Sequence, residues 1–510
     1  MKRKQLITVL ALPAAALALS LSGCVDEKIV YKDRELWEQP PAAAVGFLGY
    51  SKAEEKLTVC GNCHMGQQAA WLETAHADAW KSLEESGHAA ATCEGCHTAS
   101  ELGNLVEAKA GWSTTKDPRY YDVQCESCHG PGLQHVSNPS KGTIASVLAP
   151  MSAGMNLKTG CVECHNGTHH PYGEEWAKSA HGAVPSAASP GTRAECVECH
   201  TGEDALVKFG LNKVYKEKDA VTGVHTLDKN LPITCGVCHD PHDDHYTGQL
   251  RKSLSESDLT KNLCMKCHYK RGIPDPTTYR GPHAPEGPLL VGTGAYWADT
   301  MKALYKSGRI EATHGSAEAN PTLCAGCHMN RFNYKDATGT AVSGTGHTFE
   351  AIPCLDANGG PIVNGTCTTD QRSYKSCVVS GCHGTEGAAR SAVITAQLRI
   401  ANLVAELDRI LQKVHADWKT CRSKVPPAAG SCGGNTGTFN GKVTFNTADA
   451  LFTTAEGAAF NHDLGARVTA VIHNPFLVEA ALITSIMQVK KDYGVTAQTA
   501  IDLTPQFKQR

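Results

Sequence analysis

Hydrophobic positions fall into contrasting regimes along this chain. Lys2, Arg3 and Lys4 precede the apolar run L-I-T-V-L-A-L-P-A-A-A-L-A-L-S-L, which reads as a secretory signal and is too short for a stable membrane span. Near the other end, residues 388–414 place Val393, Leu398, Leu403, Leu407, Ile410 and Val414 near helical spacing, predicting one long amphipathic helix. A second helix is expected over 475–492, so that residues 386–510 form a helical hairpin. A partner-binding helix or a coiled coil is the alternative for this region.

Composition changes that picture. Across 510 residues the apolar fraction is 41% and aromatics only 6%, a thin supply for packing several side-chain cores. The 48 basic and 51 acidic residues nearly cancel, to a formal charge of -3, so no nucleic-acid footprint is present. Cysteine is the outlier: 23 residues are far too many for a cytosolic enzyme unless they bind something.

The cysteines are organised. C-x-x-C-H occurs at Cys60-Cys63-His64, Cys93-Cys96-His97, Cys125-Cys128-His129 and Cys161-Cys164-His165. It recurs at Cys196-Cys199-His200, Cys235-Cys238-His239, Cys264-Cys267-His268 and Cys324-Cys327-His328. This is the attachment signature of c-type haem. Two thiols three positions apart on a helical turn reach the two vinyl groups of one porphyrin edge, and the next residue lies under the ring as proximal ligand. Four-thiolate zinc would not require a histidine after every second cysteine. C-x-x-C disulfides are strained redox devices rather than staples. Short helices and loops between porphyrins that supply much of the buried apolar surface then give a mainly α, loop-rich fold over residues 55–385.

The sixth ligand of each iron separates conduit from enzyme. Of 24 histidines, nine follow a cysteine pair if His383 is counted, leaving fifteen, whereas Met65 and Met329 sit beside proximal histidines and cannot reach the far face. Bis-histidine ligation is therefore expected nearly throughout, with His76, His88, His135, His181, His242, His283, His314, His347 and His473 as the distal set. W-L-E-T-A-H (71–76) and W-A-K-S-A-H (176–181), with C-V-E-C-H at both 161–165 and 196–200, read as traces of internal duplication. His415 and His462 are further distal candidates near the C-terminus.

C-V-V-S-G-C-H (377–383) is wider. It is either a ninth haem site through Cys377, Cys382 and His383 or a disulfide beside an incidental histidine, and its place at the end of a haem series favours the first. Cys354, Cys367, Cys421 and Cys432 lie outside all these motifs; nearest-neighbour disulfides 354–367 and 421–432 are the simplest of three pairings.

Several of these segments resemble known families. L-S-G-C, ending at Cys24, resembles the lipobox of bacterial lipoproteins, which implies a signal peptide over 1–23, a lipidated Cys24 and a tether over 24–54. C-E-S-C-H-G-P-G-L-Q-H (125–135) resembles a motif of the cytochrome c554 and hydroxylamine oxidoreductase superfamily, in which the second histidine ligates an adjacent haem. T-C-G-V-C-H-D-P-H (234–242), H-A-P-E-G-P-L-L-V-G-T-G-A-Y (283–296) and V-I-H-N-P-F-L-V-E-A-A-L-I (471–483) are similar to segments of multihaem cytochromes of the cell envelope and outer surface. C-x4-C-H resembles a haem-binding variant of small tetrahaem cytochromes. The resemblance implies an exported, lipid-anchored outer-membrane cytochrome, on the periplasmic or outer face. It would exchange electrons with other cytochromes, porin–cytochrome components, a mineral or a soluble acceptor. Reductases of this superfamily often carry C-x-x-C-K, which is absent here. A reductase of small nitrogen or sulfur oxyanions and a filament-forming cytochrome are the alternatives.

Overall fold

The computed structural model describes residues 37–139, 160–167, 169–183, 193–210, 231–277, 280–378, 382–421, 437–446, 449–498 and 500–507. The leader, Cys24 and Cys432 lie outside them.

The central part is mainly helical and loop-rich, made of short pieces. Its α-helices include Met65–Trp71, Ala79–Glu85, Cys125–His129, Cys161–Cys164, Tyr172–Lys178, Cys235–Cys238 and Cys324–His328. None is long enough to be stable alone in water, so each is held by what it packs against. Side-chain clusters are correspondingly small. One gathers Ala44, Phe47, Ala99, Ala110, Trp112 and Tyr120; another gathers Ala205, Leu206, Leu231 and Val237. Strands among the described residues form only two-stranded antiparallel sheets. One of these, Cys354–Leu355 with Pro361–Ile362, is closed by the Cys354–Cys367 disulfide. Cys421 is also disulfide-bonded.

The C-terminal part is built differently. The long helix runs from Glu386 to Val414 and starts where the Thr385 side chain accepts from Ala388 N. The last helix, Pro475–Tyr493, opens on Asn474, whose side chain accepts from Leu477 N, and closes at Gly494 in the left-handed region, φ 67°. The longer helices between them among the described residues, Thr454–Gly465 and Val468–His473, are not announced by the apolar pattern. The first is buried on nearly every side, so its sequence carries no one-sided stripe to read. The two expected helices share one core, and the hairpin they form is extended by these further helices. Leu403, Leu407, Ile410, Leu411, Trp418, Leu477, Leu482 and Ile486 are fully buried in one cluster that also takes in Leu289, Met301 and Ile310 from the central part. Inside it Arg399 Nε lies 2.8 Å from Glu479 Oε1, and Glu479 also accepts from Gln506 N and Phe507 N. Among the described residues no helix is long and apolar enough to cross a membrane.

Candidate haem sites

The motifs are numbered 1 to 9 in chain order, from Cys60 to His383. Each occupies about one turn, and a backbone bond closes it. His64 N donates to Cys60 O at 2.9 Å, His165 N to Cys161 O at 2.9 Å, His239 N to Cys235 O at 2.8 Å and His268 N to Cys264 O at 3.0 Å. The same bond closes the wider motif, where His383 N lies 3.3 Å from Cys377 O. All eighteen motif cysteines, Cys377 and Cys382 among them, are thiols and not disulfides.

Tertiary folding then brings a second imidazole opposite the motif histidine. Ring centres are 6.3 Å apart for His64 and His135, 6.2 Å for His129 and His242, and 6.1 Å for His165 and His76. The spacing is 6.0 Å for His200 and His283, 6.3 Å for His239 and His347, and 6.2 Å for His268 and His181. It is 6.1 Å for His328 and His473 and 6.3 Å for His383 and His314. Two imidazoles bound through Nε2 to one metal at about 2.0 Å each have centres about 6 Å apart. The residues present therefore fit an iron held between two histidines.

Second contacts leave the ring nitrogens in the state such ligation needs. Nδ1 of His97, His239, His328, His314 and His473 lies 2.6–2.9 Å from the carbonyls of Ala79, Gly248, Phe349, Ile472 and Thr469. A proton held at Nδ1 leaves the Nε2 lone pair free to bind. Burial pushes His165, His181, His347 and His473 down to about 4, so they are neutral near pH 7. His268 is the exception: the Glu286 carboxylate beside it holds it above the usual imidazole range.

Other side chains position these histidines. Buried Glu175 accepts from Thr345 N at 2.9 Å and His347 N at 2.8 Å, fixing the loop that delivers His347. Asn474 Nδ2 donates to Leu289 O at 2.9 Å and Ile310 O at 2.8 Å, which pins the start of the last helix just after His473. The His-Asn-Pro order thus serves ligand, clamp and first helical residue in turn.

One expected distal residue stands apart. His88 is exposed, its Nδ1 2.7 Å from Ser86 O on its own turn. His170 lies within electrostatic range of His97, and its ring centre is 6.2 Å from His165 and edge-on to it. His170 was legible only as one of the fifteen histidines that follow no cysteine pair. His415 lies against Cys421 and His462 against Trp418, neither of them opposite a motif histidine. Glu175, Glu286 and Asn474 carried no spacing signal, because their partners are distant in sequence.

Comparison with known proteins points to the same class of protein. Residues 59–130 match the family model described as cytochrome c554 and c-prime. The multihaem cytochrome MtrA of Shewanella baltica is 28% identical over 256 residues, covering 47% of this chain and 66% of its own length. Cytochrome c-554 of Nitrosomonas europaea is 28% identical over 133 residues, covering 21% of this chain and 54% of its own. The chain thus spans less than two thirds of either relative. No solved structure matches it. Repeated cysteine pairs with facing imidazoles define a c-type haem protein. The chain is a multihaem c-type cytochrome.

Proposed function

We propose that this protein is a nine-haem electron conduit of the cell envelope, with bis-histidine ligation at eight or nine of its irons. Haem c supplies a one-electron carrier at each site; the chain holds it by two thioethers, fixes both imidazoles and keeps water from the iron. The observation that carries the reading is the set of eight imidazole pairs spaced 6.0–6.3 Å, all including a motif histidine. Two fixed imidazoles leave no coordination position for a substrate and little rearrangement on electron exchange. The apolar leader and the lipobox-like Cys24 support a position outside the cytoplasm, as an outer-membrane lipoprotein. Similarity to MtrA supports other cytochromes, or porin–cytochrome components, as partners.

Electron paramagnetic resonance of the oxidised protein tests this. Low-spin signals throughout, with nine haems per chain by pyridine haemochrome, are expected; a high-spin ferric signal from more than one haem would sink the conduit reading. A second reading, reduction of a small nitrogen or sulfur oxyanion at an open iron, falls on site 2. There alone, among the described residues, the motif histidine has no imidazole centre at that spacing; His170, within electrostatic range of it, lies edge-on to His165 of site 4. A single high-spin haem lost on replacing Cys93 and Cys96 would favour that reading.

A further inference from the structure

The contacts between motifs do not follow their order in the chain. Side-chain contacts join Cys60 to Cys125, Cys96 to Cys164 and Cys161 to Cys235. They also join Cys199 to Cys267 and Cys264 to Cys324. Three further junctions are of longer range. Cys128 lies within electrostatic reach of Cys161 and Cys164, Cys238 of Cys264 and Cys267, and Cys327 of Cys377 and Cys382.

Two aromatic side chains mark the same junctions. The Tyr172 ring lies 5.5 Å from that of His165 in site 4 and 4.9 Å from that of His347, which faces site 6. Phe349 lies 5.8 Å from the His347 ring and 4.6 Å from His181, which faces site 7, while its carbonyl receives His328 Nδ1 of site 8. At the far end His314 Nδ1, opposite site 9, rests on Ile472 O, one residue before His473, which faces site 8.

A repeat underlies this. After site 1, Trp71 Nε1 donates to Val123 O at 3.0 Å and Val123 N donates to His76 O at 3.1 Å, two residues ahead of Cys125. After site 4, Trp176 Nε1 donates to Ile233 O at 2.8 Å and Ile233 N to His181 O at 3.1 Å, two residues ahead of Cys235. Thr74 and Ser179 make the same 2.7 Å bond back to Trp71 O and Trp176 O. Sites 1 and 3 therefore correspond to sites 4 and 6. The histidine after each tryptophan faces the start of the next copy: His76 faces site 4 and His181 faces site 7. His314, which follows site 7, faces site 9 in the same way. Side sites are also matched: Gly103 N, just after site 2, donates to Glu163 Oε2 inside site 4 at 2.8 Å, and Lys208 Nζ bridges Glu198 inside site 5 and the Tyr269 hydroxyl beside site 7 at 2.8 and 3.4 Å. The third copy has no such cysteine pair between Cys267 and Cys324; helices Glu286–Leu290 and Asp299–Leu304 lie there instead, with Leu289 and Met301 buried in the C-terminal cluster.

We infer that the nine motifs are overlapping copies of a three-site unit, giving a spine 1–3–4–6–7–8–9 from which, among the described residues, sites 2 and 5 branch as ends. The third branch is lost and its place filled by protein core. Each hop along the spine oxidises one iron and reduces its neighbour, with no bond made or broken. The order rests on the haem reading above, and one experiment separates the two. An iron anomalous-difference map of the holoprotein should place the site 2 iron next to site 4 alone and the site 5 iron next to site 7 alone. It should also place irons 1 and 3 as neighbours. Nine irons in chain order, or site 2 lying between sites 1 and 3, would overturn the spine while leaving the haem sites standing. A map without iron at the cysteine pairs would overturn both.

Discussion

The central and C-terminal parts of this chain are both mainly helical, yet they are held together by different things. In the C-terminal block a 29-residue helix packs on a 19-residue helix over a continuous apolar cluster. In the central part the helices rarely exceed a turn or two, the apolar clusters are small and scattered, and between them stand paired imidazoles and cysteine thiols. One region carries its own core. The other arranges its side chains around sites that fit a porphyrin, so cofactor attachment and folding are coupled there.

The largest effect that could break this contrast is omission of haem. Chain produced without haem attachment should lose ordered structure over the central part and keep helix in the C-terminal block. Circular dichroism with limited proteolysis should therefore leave a resistant fragment beginning near residue 386. Wholesale loss of helix would mean that the block too depends on the haem sites. Next in size is Glu479→Ala, which strands buried Arg399 and frees the tail at Gln506 and Phe507. A cost of about 3–5 kcal/mol is expected, read as a lower melting temperature with the haem count unchanged.

Glu126→Gln probes the central part by a smaller amount. Fully buried Glu126 accepts from Leu48 N, Gly49 N and Gly132 N, tying the entry segment to site 3. Losing one acceptor should cost about 1–3 kcal/mol. Desolvation pushes this carboxyl up to about 7 from 4.5, despite those donors. A raised carboxyl contributes stability that is fully present below about pH 4.5 and is lost as pH rises through 7. The gap in melting temperature between wild type and E126Q should therefore narrow from pH 5 to pH 8; a widening gap would contradict this sign. The smallest effect is Glu286→Gln. Removing the carboxylate beside His268 makes that imidazole a weaker donor, so one haem potential should rise by tens of mV, tenfold in ligand preference being about 59 mV. Spectropotentiometric titration would read it as one component moved among unmoved ones.

Legibility differed between the same two regions. The long helix and the last helix could be read from their apolar spacing and caps, because both are amphipathic or clearly bounded. Thr454–Gly465 could not, since burial on all sides erases the stripe that a one-sided helix displays. Around the motifs, His76, His135, His181, His242, His283, His314, His347 and His473 could be named as candidates, and each faces a motif histidine in the structure. His88 was named on the same grounds and faces none of them among the described residues, whereas His170 was passed over. A lone histidine has no local signature, because its role depends on what the fold places opposite it.

The sequence by itself determined the chemistry of each cysteine pair. Both thiols and the following histidine act within one turn, so spacing alone specifies them. The tertiary structure decided which second imidazole stands opposite, and which motif touches which. Those partners come from other copies of the repeat, as His76 does for site 4 and His181 for site 7, and only folding brings residues so far apart in the chain to a 6 Å spacing.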